Sequence, residues 1–281
     1  MSKKSNLNDA EQYLLQQFLN NSVLDQFNFK EIFRTVLNKF NIKYNTSDNE
    51  QLKLLIVQYL KSINEAIKQY SLEIKIGTCE LTGITFYCLV RLFDSNSIGS
   101  LSQLYNQNEL KLFKKILNMI IEADDAIVDY NSIVNSVADD GDIKISQKDI
   151  REATEKFVSD HWLLSMSGNK FALHSRTIIE LSQYLDEVYG DQVISHCKLC
   201  KEIVVSGISC ESCSTKMHRH CAKRYFKTQT DCMSCKKPMS DEQISLLRES
   251  NKNSQSTSQA IRDFKNATQA TNGDGSRRRK N

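Results

Sequence analysis

The chain has 281 residues, 40% of them hydrophobic and 25% charged, and its 37 basic and 34 acidic side chains leave a formal net charge of +3. That length favours two or three domains with buried cores. No run approaches the ~20 apolar residues of a bilayer-spanning helix, and the opening MSKKSNLNDAEQ lacks the apolar segment of a signal peptide, so no membrane partner and a reducing compartment are expected.

With one proline, Pro238, and nine glycines, the first 190 residues contain few breakers and read as amphipathic helices. Asn8 and Glu11 have capping-box spacing ahead of a helix over Asp9 to Leu19, with Leu14, Leu15, Phe18 and Leu19 on one face. A second helix is expected over Lys30 to Phe40. In the third, Leu52, Leu55, Ile56, Tyr59, Leu60, Ile63, Ala66 and Ile67 keep helical spacing for over four turns. Leu72, Ile74 and Ile76 then alternate, answered by Ile84, Phe86, Cys88 and Val90 across a turn near Gly83. Three helices followed by a hairpin is the order of a winged helix. The order repeats with helices at Asn108 to Ile121 and Asn131 to Val137, and a third helix, capped by Ser146 and Asp149, that shares Ile150, Ala153, Phe157 and Val158 on one face. A hairpin comes next, from Trp162 through a turn at Ser167, Gly168 and Asn169 to Leu173. A single helix over Arg176 to Val188 should act as a rigid joint to the cysteine-rich segment beyond it.

Several conspicuous side chains have ordinary readings. Trp162 opens a strand beside apolar neighbours and is expected to be core packing. Cys79 and Cys88, on facing strands, read as buried small hydrophobes, and His161 and His174 as ordinary surface or core residues. On the third helix of the second winged helix, Lys148, Arg151 and Lys156 are offset by Asp149, Glu152 and Glu155, which favours protein contact over duplex reading.

Seven of the nine cysteines lie between Cys197 and Cys235. With one histidine they read Cys197-x2-Cys200-x9-Cys210-x2-Cys213-x4-His218-x2-Cys221-x10-Cys232-x2-Cys235. In a reducing compartment, pairs separated by two residues indicate metal ligation, and four pairs supply two closed tetrahedral zinc sites with no open position for an activated water. Seven thiolates against two divalent ions leave −3, which cancels the formal charge and removes the case for a globally basic nucleic-acid binder. A nested pairing would join Cys210, Cys213, His218 and Cys221; an interleaved one would join the first pair with the third and the second with the fourth. Metal content cannot separate the two. An RNA-gripping knuckle expects four residues between its histidine and last cysteine, and here only Arg219 and His220 intervene.

The ligand order, with SCESCSTKMHRHCAKRYF at its centre, resembles the variant RING domain of the non-SMC element one family, subunits of the SMC five–six chromosome complex in which tandem winged helices precede a C-terminal RING. The resemblance implies the interleaved cross-brace: Cys197, Cys200, His218 and Cys221 on one zinc, and Cys210, Cys213, Cys232 and Cys235 on the other, with His220 spare. It implies an α+β fold of two tandem winged-helix domains and a cross-brace two-zinc RING-type domain. The expected extents are a flexible 1–7, winged helices at 8–95 and 96–190, the zinc domain at 191–240 and a mostly disordered tail at 241–281.

The resemblance also implies a RING-type ubiquitin ligase of the nucleus, active in DNA repair and chromosome maintenance. Its partners would be a MAGE-type non-SMC element three, the kleisin non-SMC element four, the SMC five–six heterodimer, and a ubiquitin-conjugating enzyme with ubiquitin. No covalent catalytic residue is expected, because such ligases act by proximity and orientation. Leu199 takes the place of the family's apolar anchor for the conjugating enzyme, with Ile203 and Val204 extending or supporting that surface. Met233 stands where many active RINGs have proline, and Lys236 near the cation that clasps ubiquitin, departures that point to weak or partner-dependent activity. The alternatives are a zinc-stabilised scaffold of the same complex, or a histone-reading PHD finger; the latter typically has Trp where this chain has Thr230. DNA contact through the winged helices or the tail is a compatible expectation. The polar stretch after Ser250 ends in Arg277, Arg278, Arg279 and Lys280, a nuclear import signal, a phosphate contact or a solvated end.

Overall fold

Asn8 and Glu11 form the reciprocal capping box that opens α1 (Asp9–Asn20). A three-residue strand, β1 (Val23–Asp25), ends at Asp25, whose carboxylate accepts the Phe27 and Asn28 N–H groups and so starts α2 (Gln26–Lys39) one turn earlier than the apolar spacing indicates. Asp48 caps α3 (Asn49–Ile67), which leads to β2 (Leu72–Thr78) and β3 (Thr85–Arg91). The strand order β1-β3-β2 is that of a winged helix. Because β1 pairs with β3 from Val23 opposite Cys88 to Asp25 opposite Phe86, β3 becomes a central strand buried continuously from Phe86 to Val90. Ile76, expected inside, lies on the outer β2 and is exposed. Phe18, Phe29 and Phe33 are wholly buried between the helices, each contributing roughly 1.5–3 kcal/mol.

The structure is a computed structural model that describes residues 7–45, 48–92, 99–240, 242, 244, 245 and 247. The expected polar tail after Ser250, with its basic end, lies outside the described residues.

The second winged helix repeats the order: α4 (Gln107–Glu122), β4 (Val128–Asp129), α5 (Tyr130–Ala138), α6 (Gln147–Ser159), β5 (Leu163–Met166) and β6 (Lys170–Leu173), with strand order β4-β6-β5. Gly168 and Asn169 both take positive φ in the hairpin turn, which a side chain larger than these accepts poorly. Trp162 is wholly buried, packed edge-on to Phe113 with centroids 5.9 Å apart. The cations of α6 are engaged locally: Lys148 with Glu152, Lys156 with Glu109, and Arg151 over the Tyr130 ring.

The joint helix is not continuous. It comprises α7 (Ser175–Glu180) and α8 (Ser182–Val193), which part at Leu181 (φ −100°, ψ 13°), and the helical path breaks again at Gly190 (φ 62°, ψ 176°). The division reflects what α7 holds. Its N-cap is His174, whose Nδ1 accepts the Arg176 N–H; the Arg176 guanidinium lies over Trp162 and pairs with Glu180 at 2.8 Å; and Ile179 fills the space beside Gly77 of β2. A Cβ on Gly77 would meet Ile179 at 2.3 Å. Helix α7 thus packs between the two winged helices, with Phe86 of β3 against the His174 ring.

Burial, then the neighbouring His161 and Arg176, hold His174 well below the usual histidine value, and burial also lowers His161. An unfolded chain takes up these protons near pH 6.5 while the folded one stays neutral, so this stability is present above pH 6.5 and lost as pH falls below it. The slope should approach about 1.4 kcal/mol per pH unit for His174, with His161 adding in the same direction. Urea titrations followed by Trp162 emission between pH 7 and 5 should show it, and His174→Asn, which can still cap α7, should flatten the profile.

Candidate metal centre

The described residues fall into two compact units, those within 1–79, 84–120 and 127–190 in one, and those within 80–83, 121–126 and 191–281 in the other. Within the second, two small sheets, β7 (Ser195–His196) with β8 (Ile203–Val204) and β9 (Gly207–Ser209) with β10 (Lys216–His218), precede a short helix, α9 (Arg219–Tyr225). Gly207 sits against the backbone of Met217, where a Cβ would meet the Met217 carbonyl oxygen at 2.5 Å; only glycine lets β9 and β10 approach this closely.

Three Cys-x2-Cys turns are built alike. The N–H four residues beyond the first cysteine returns to that cysteine's carbonyl: Lys201 to Cys197 at 2.8 Å, Ser214 to Cys210 at 2.7 Å, and Lys236 to Cys232 at 3.0 Å. The first cysteine's own N–H donates to Glu202, Thr215 and Lys237 respectively. Each turn closes with the residue after its second cysteine at positive φ, 68° at Lys201, 55° at Ser214 and 60° at Lys236, strained positions for side chains other than glycine. The fourth pair differs: His218 ends β10 as the N-cap of α9, and Cys221 lies in that helix's first turn.

The turns converge on two clusters, Cys197, Cys200, His218 and Cys221, and Cys210, Cys213, Cys232 and Cys235, with the donor atoms of each within 4.8 Å of one another. This is the interleaved arrangement, not the nested one. A tetrahedron with 2.3 Å Zn–S bonds has sulfur–sulfur edges of about 3.8 Å. Cys210 and Cys235 are 3.7 Å apart, as are Cys213 and Cys232, and Cys200 Sγ is 3.2 Å from His218 Nδ1. Three cysteines with a histidine, and four cysteines, are donor sets that fit two zinc ions.

The thiols of the two clusters are held unequally. Hydrogen bonds from the Thr215 side chain and backbone hold Cys213 down to about 6, and at Cys197 burial is outweighed by N–H groups of Cys200, His218 and Leu199, which bring it to about 6. Cys221 goes the other way, pushed up to about 12 by burial and by the charge of Cys197 and Cys200. A divalent ion relieves that repulsion and lets all the thiols ionise. Elsewhere, Cys88 is buried and its thiol is pushed up to about 12, and Cys79 is buried too, as inert structural cysteines should be.

Both clusters share one apolar core with Met217, Ala222 and Phe226, and the core extends past the last ligand to Ile244 and Leu247, residues expected from sequence to lie in the mostly disordered tail at 241–281. Leu199 is half-buried against this core, Met233 is half-buried and Lys236 exposed. Ile203 and Val204 are 3% and 1% exposed, so they can support a docking surface from beneath but not extend it. His220 stacks on His218 at 4.9 Å and is not among the clustered donors.

A residue that ligand spacing does not reveal completes the first cluster. Glu80, in the turn between β2 and β3, is buried in this unit, where its carboxylate accepts the N–H groups of Val205 and Ser206 and lies 3.1 Å from His218 Nε2. Burial alone would lower His218; Glu80 first, then the Ile203 carbonyl and the charge of Cys200, raise it to about 10. A glutamate in a hairpin turn is unexceptional in sequence, so no local signal marks it.

Residues 11–181 match the family described as the Nse1 non-SMC component of the SMC5-6 complex. The chain belongs to the Nse1 family. Residues 197–236 match a RING-like domain. The non-structural maintenance of chromosomes element 1 homolog of Homo sapiens is 30% identical over 231 residues, 82% of this chain and 83% of that protein, and that of Bos taurus is 29% identical with the same coverage. A solved chain from an Nse1-Nse3-Nse4 complex aligns with a TM-score of 0.69 at 24% identity, spanning 83% of this chain and 97% of that one, and shows that the two share a fold. This Nse1-family chain therefore joins tandem winged helices to a RING-like domain with two clusters suited to zinc.

Proposed function

We propose that this chain is a RING-type ubiquitin-protein ligase subunit of an SMC5-6 complex, working in the nucleus in DNA repair and chromosome maintenance. The cross-braced pair of four-donor clusters carries the reading. Cys197, Cys200, His218 and Cys221 hold one zinc, and Cys210, Cys213, Cys232 and Cys235 the other. With every donor committed, the domain contributes no nucleophile; the ions fix a surface on which a charged ubiquitin-conjugating enzyme is held in a reactive pose. Leu199 is the apolar anchor on that surface, Ile203 supports it, and Met233 and Lys236 line its far side. Family membership and the fold shared with a chain of an Nse1-Nse3-Nse4 complex support Nse3-type and Nse4-type partners, and through them the SMC heterodimer.

The test combines the purified chain with an Nse3-type partner, ubiquitin, its activating enzyme and a panel of conjugating enzymes. Ubiquitin chains should form, and Leu199→Ala should cut their rate about tenfold, equivalent to about 1.4 kcal/mol of lost docking energy. Absence of chains across the panel, with both zinc ions bound, would replace the ligase with a zinc-stabilised scaffold.

A further inference from the structure

We infer that Glu80 is the positioning residue of the first metal site, fixing the ring orientation and tautomer of His218 so that Nδ1 faces the metal. The inference rests on the zinc reading above and adds to it a ligand-orienting group drawn from a distant part of the sequence.

Nε2 of the His218 imidazole lies 2.8 Å from the Ile203 carbonyl oxygen and 3.1 Å from Glu80 Oε1. Both are acceptors, so Nε2 must carry the hydrogen. In the neutral ring that leaves the lone pair on Nδ1, which sits among the cysteine donors, 3.2 Å from Cys200 Sγ. The ring is thereby oriented with Nδ1 toward the sulfurs, and when a metal displaces the Nδ1 proton the remaining hydrogen stays on Nε2, as coordination requires. A carboxylate 3.1 Å from the second ring nitrogen, whose N–H bonds the Ile203 carbonyl, also makes the imidazole a stronger donor to the metal.

Glu80 is itself held in place. Its side chain is 6% exposed, and a carboxylate so buried is costly unless its oxygens are satisfied. Val205 N–H donates to Oε1 and Oε2 at 3.1 and 3.2 Å, and Ser206 N–H to Oε2 at 2.6 Å. These donors lie immediately after β8, the strand that also presents the Ile203 carbonyl, so one short segment orients the carboxylate and shares its histidine. The turn Glu80–Gly83 belongs to the compact unit of the metal clusters. The metal unit is therefore incomplete as a contiguous stretch of sequence: a piece cut at residue 190 keeps all eight donors and lacks the group that aims one of them.

A plain staple, in which Glu80 only ties Val205 and Ser206 to the turn, predicts a different response. Glu80→Gln keeps the size and an oxygen acceptor for those N–H groups but removes the charge facing His218. Glu80→Ala removes both. In the full-length, zinc-loaded chain, competition with a chromophoric chelator should show one equivalent bound 10–100-fold more weakly in Glu80→Ala, an intermediate loss in Glu80→Gln, and the second equivalent unchanged. With cobalt substituted for zinc, the thiolate charge-transfer bands of the three-Cys-one-His site should shift while those of the four-Cys site do not. In the wild-type chain, nitrogen NMR should find the His218 hydrogen on Nε2. Equal weakening of both equivalents, or of neither, overturns the inference, as does a His218 hydrogen on Nδ1. A wild-type chain that holds fewer than two zinc ions overturns the zinc reading itself, so the two failures are distinguishable.

Discussion

Cys213→Ala is expected to cost the second unit its fold, although the side chain is exposed. By packing alone, a substitution at such a position changes stability by no more than about 0.5 kcal/mol. As one of four donors it does far more. Structural zinc in small peptides contributes an apparent ~10–16 kcal/mol, and a unit of this size cannot bury enough apolar surface to fold without help. Nor can the damage stay at one site, because the buried ligands Cys197, Cys210, Cys221 and Cys232 lie in a single core with Met217 and Phe226. The mutant should release both ions to a mild chelator and lose amide protection over residues 195–239. Trp162, the chain's one tryptophan, lies in the second winged helix, so its emission should remain that of a buried indole and report that the loss is confined. A folded Cys213→Ala chain with two zinc ions would end the assignment.

What can be read from sequence divides along physical lines. Ligand identity is legible because tetrahedral zinc imposes a donor count and a two-residue spacing, and the interleaved pairing emerges once a family resemblance is added to them. Helices α1 and α6 are legible because a cap and a periodic face agree with each other, and α3 because its periodic face runs for over four turns. Strands β1 and β4, three and two residues long, carry no periodicity, and without β1 the central strand β3 reads as one side of a hairpin. The break at Leu181 is hidden because the apolar residues keep helical spacing across it; α7 stops where its contacts with Trp162 and Gly77 end. Glu80 is hidden for a different reason. Its partners Val205, Ser206 and His218 come from the far end of the chain, and no local pattern encodes a contact of that kind.

Trp162→Ala should be the most damaging single change in the first unit. The indole is wholly buried beside Phe113, and truncating a buried tryptophan to alanine typically costs about 3–5 kcal/mol through lost burial and the cavity left behind. Here the loss reaches further, because the Arg176 guanidinium rests on the indole with its central carbon 4.4 Å from the ring, while also donating to the Asp160 carbonyl and pairing with Glu180. Without the ring, that half-buried cation loses its face contact, and α7, which packs against β2 and β3 as well as the second hairpin, is held less firmly. Against a total of about 5–15 kcal/mol for a domain, the cost is a large fraction. Calorimetry should show the winged-helix transition lowered by about 10 °C while the zinc content stays at the wild-type value. Trp162→Phe, which keeps an aromatic ring under Arg176, should recover most of that difference. A Trp162→Ala chain with an unshifted transition would mean that α7 is held by its other contacts alone, those of Thr177 with the Trp162 carbonyl and of Ile179 with Gly77.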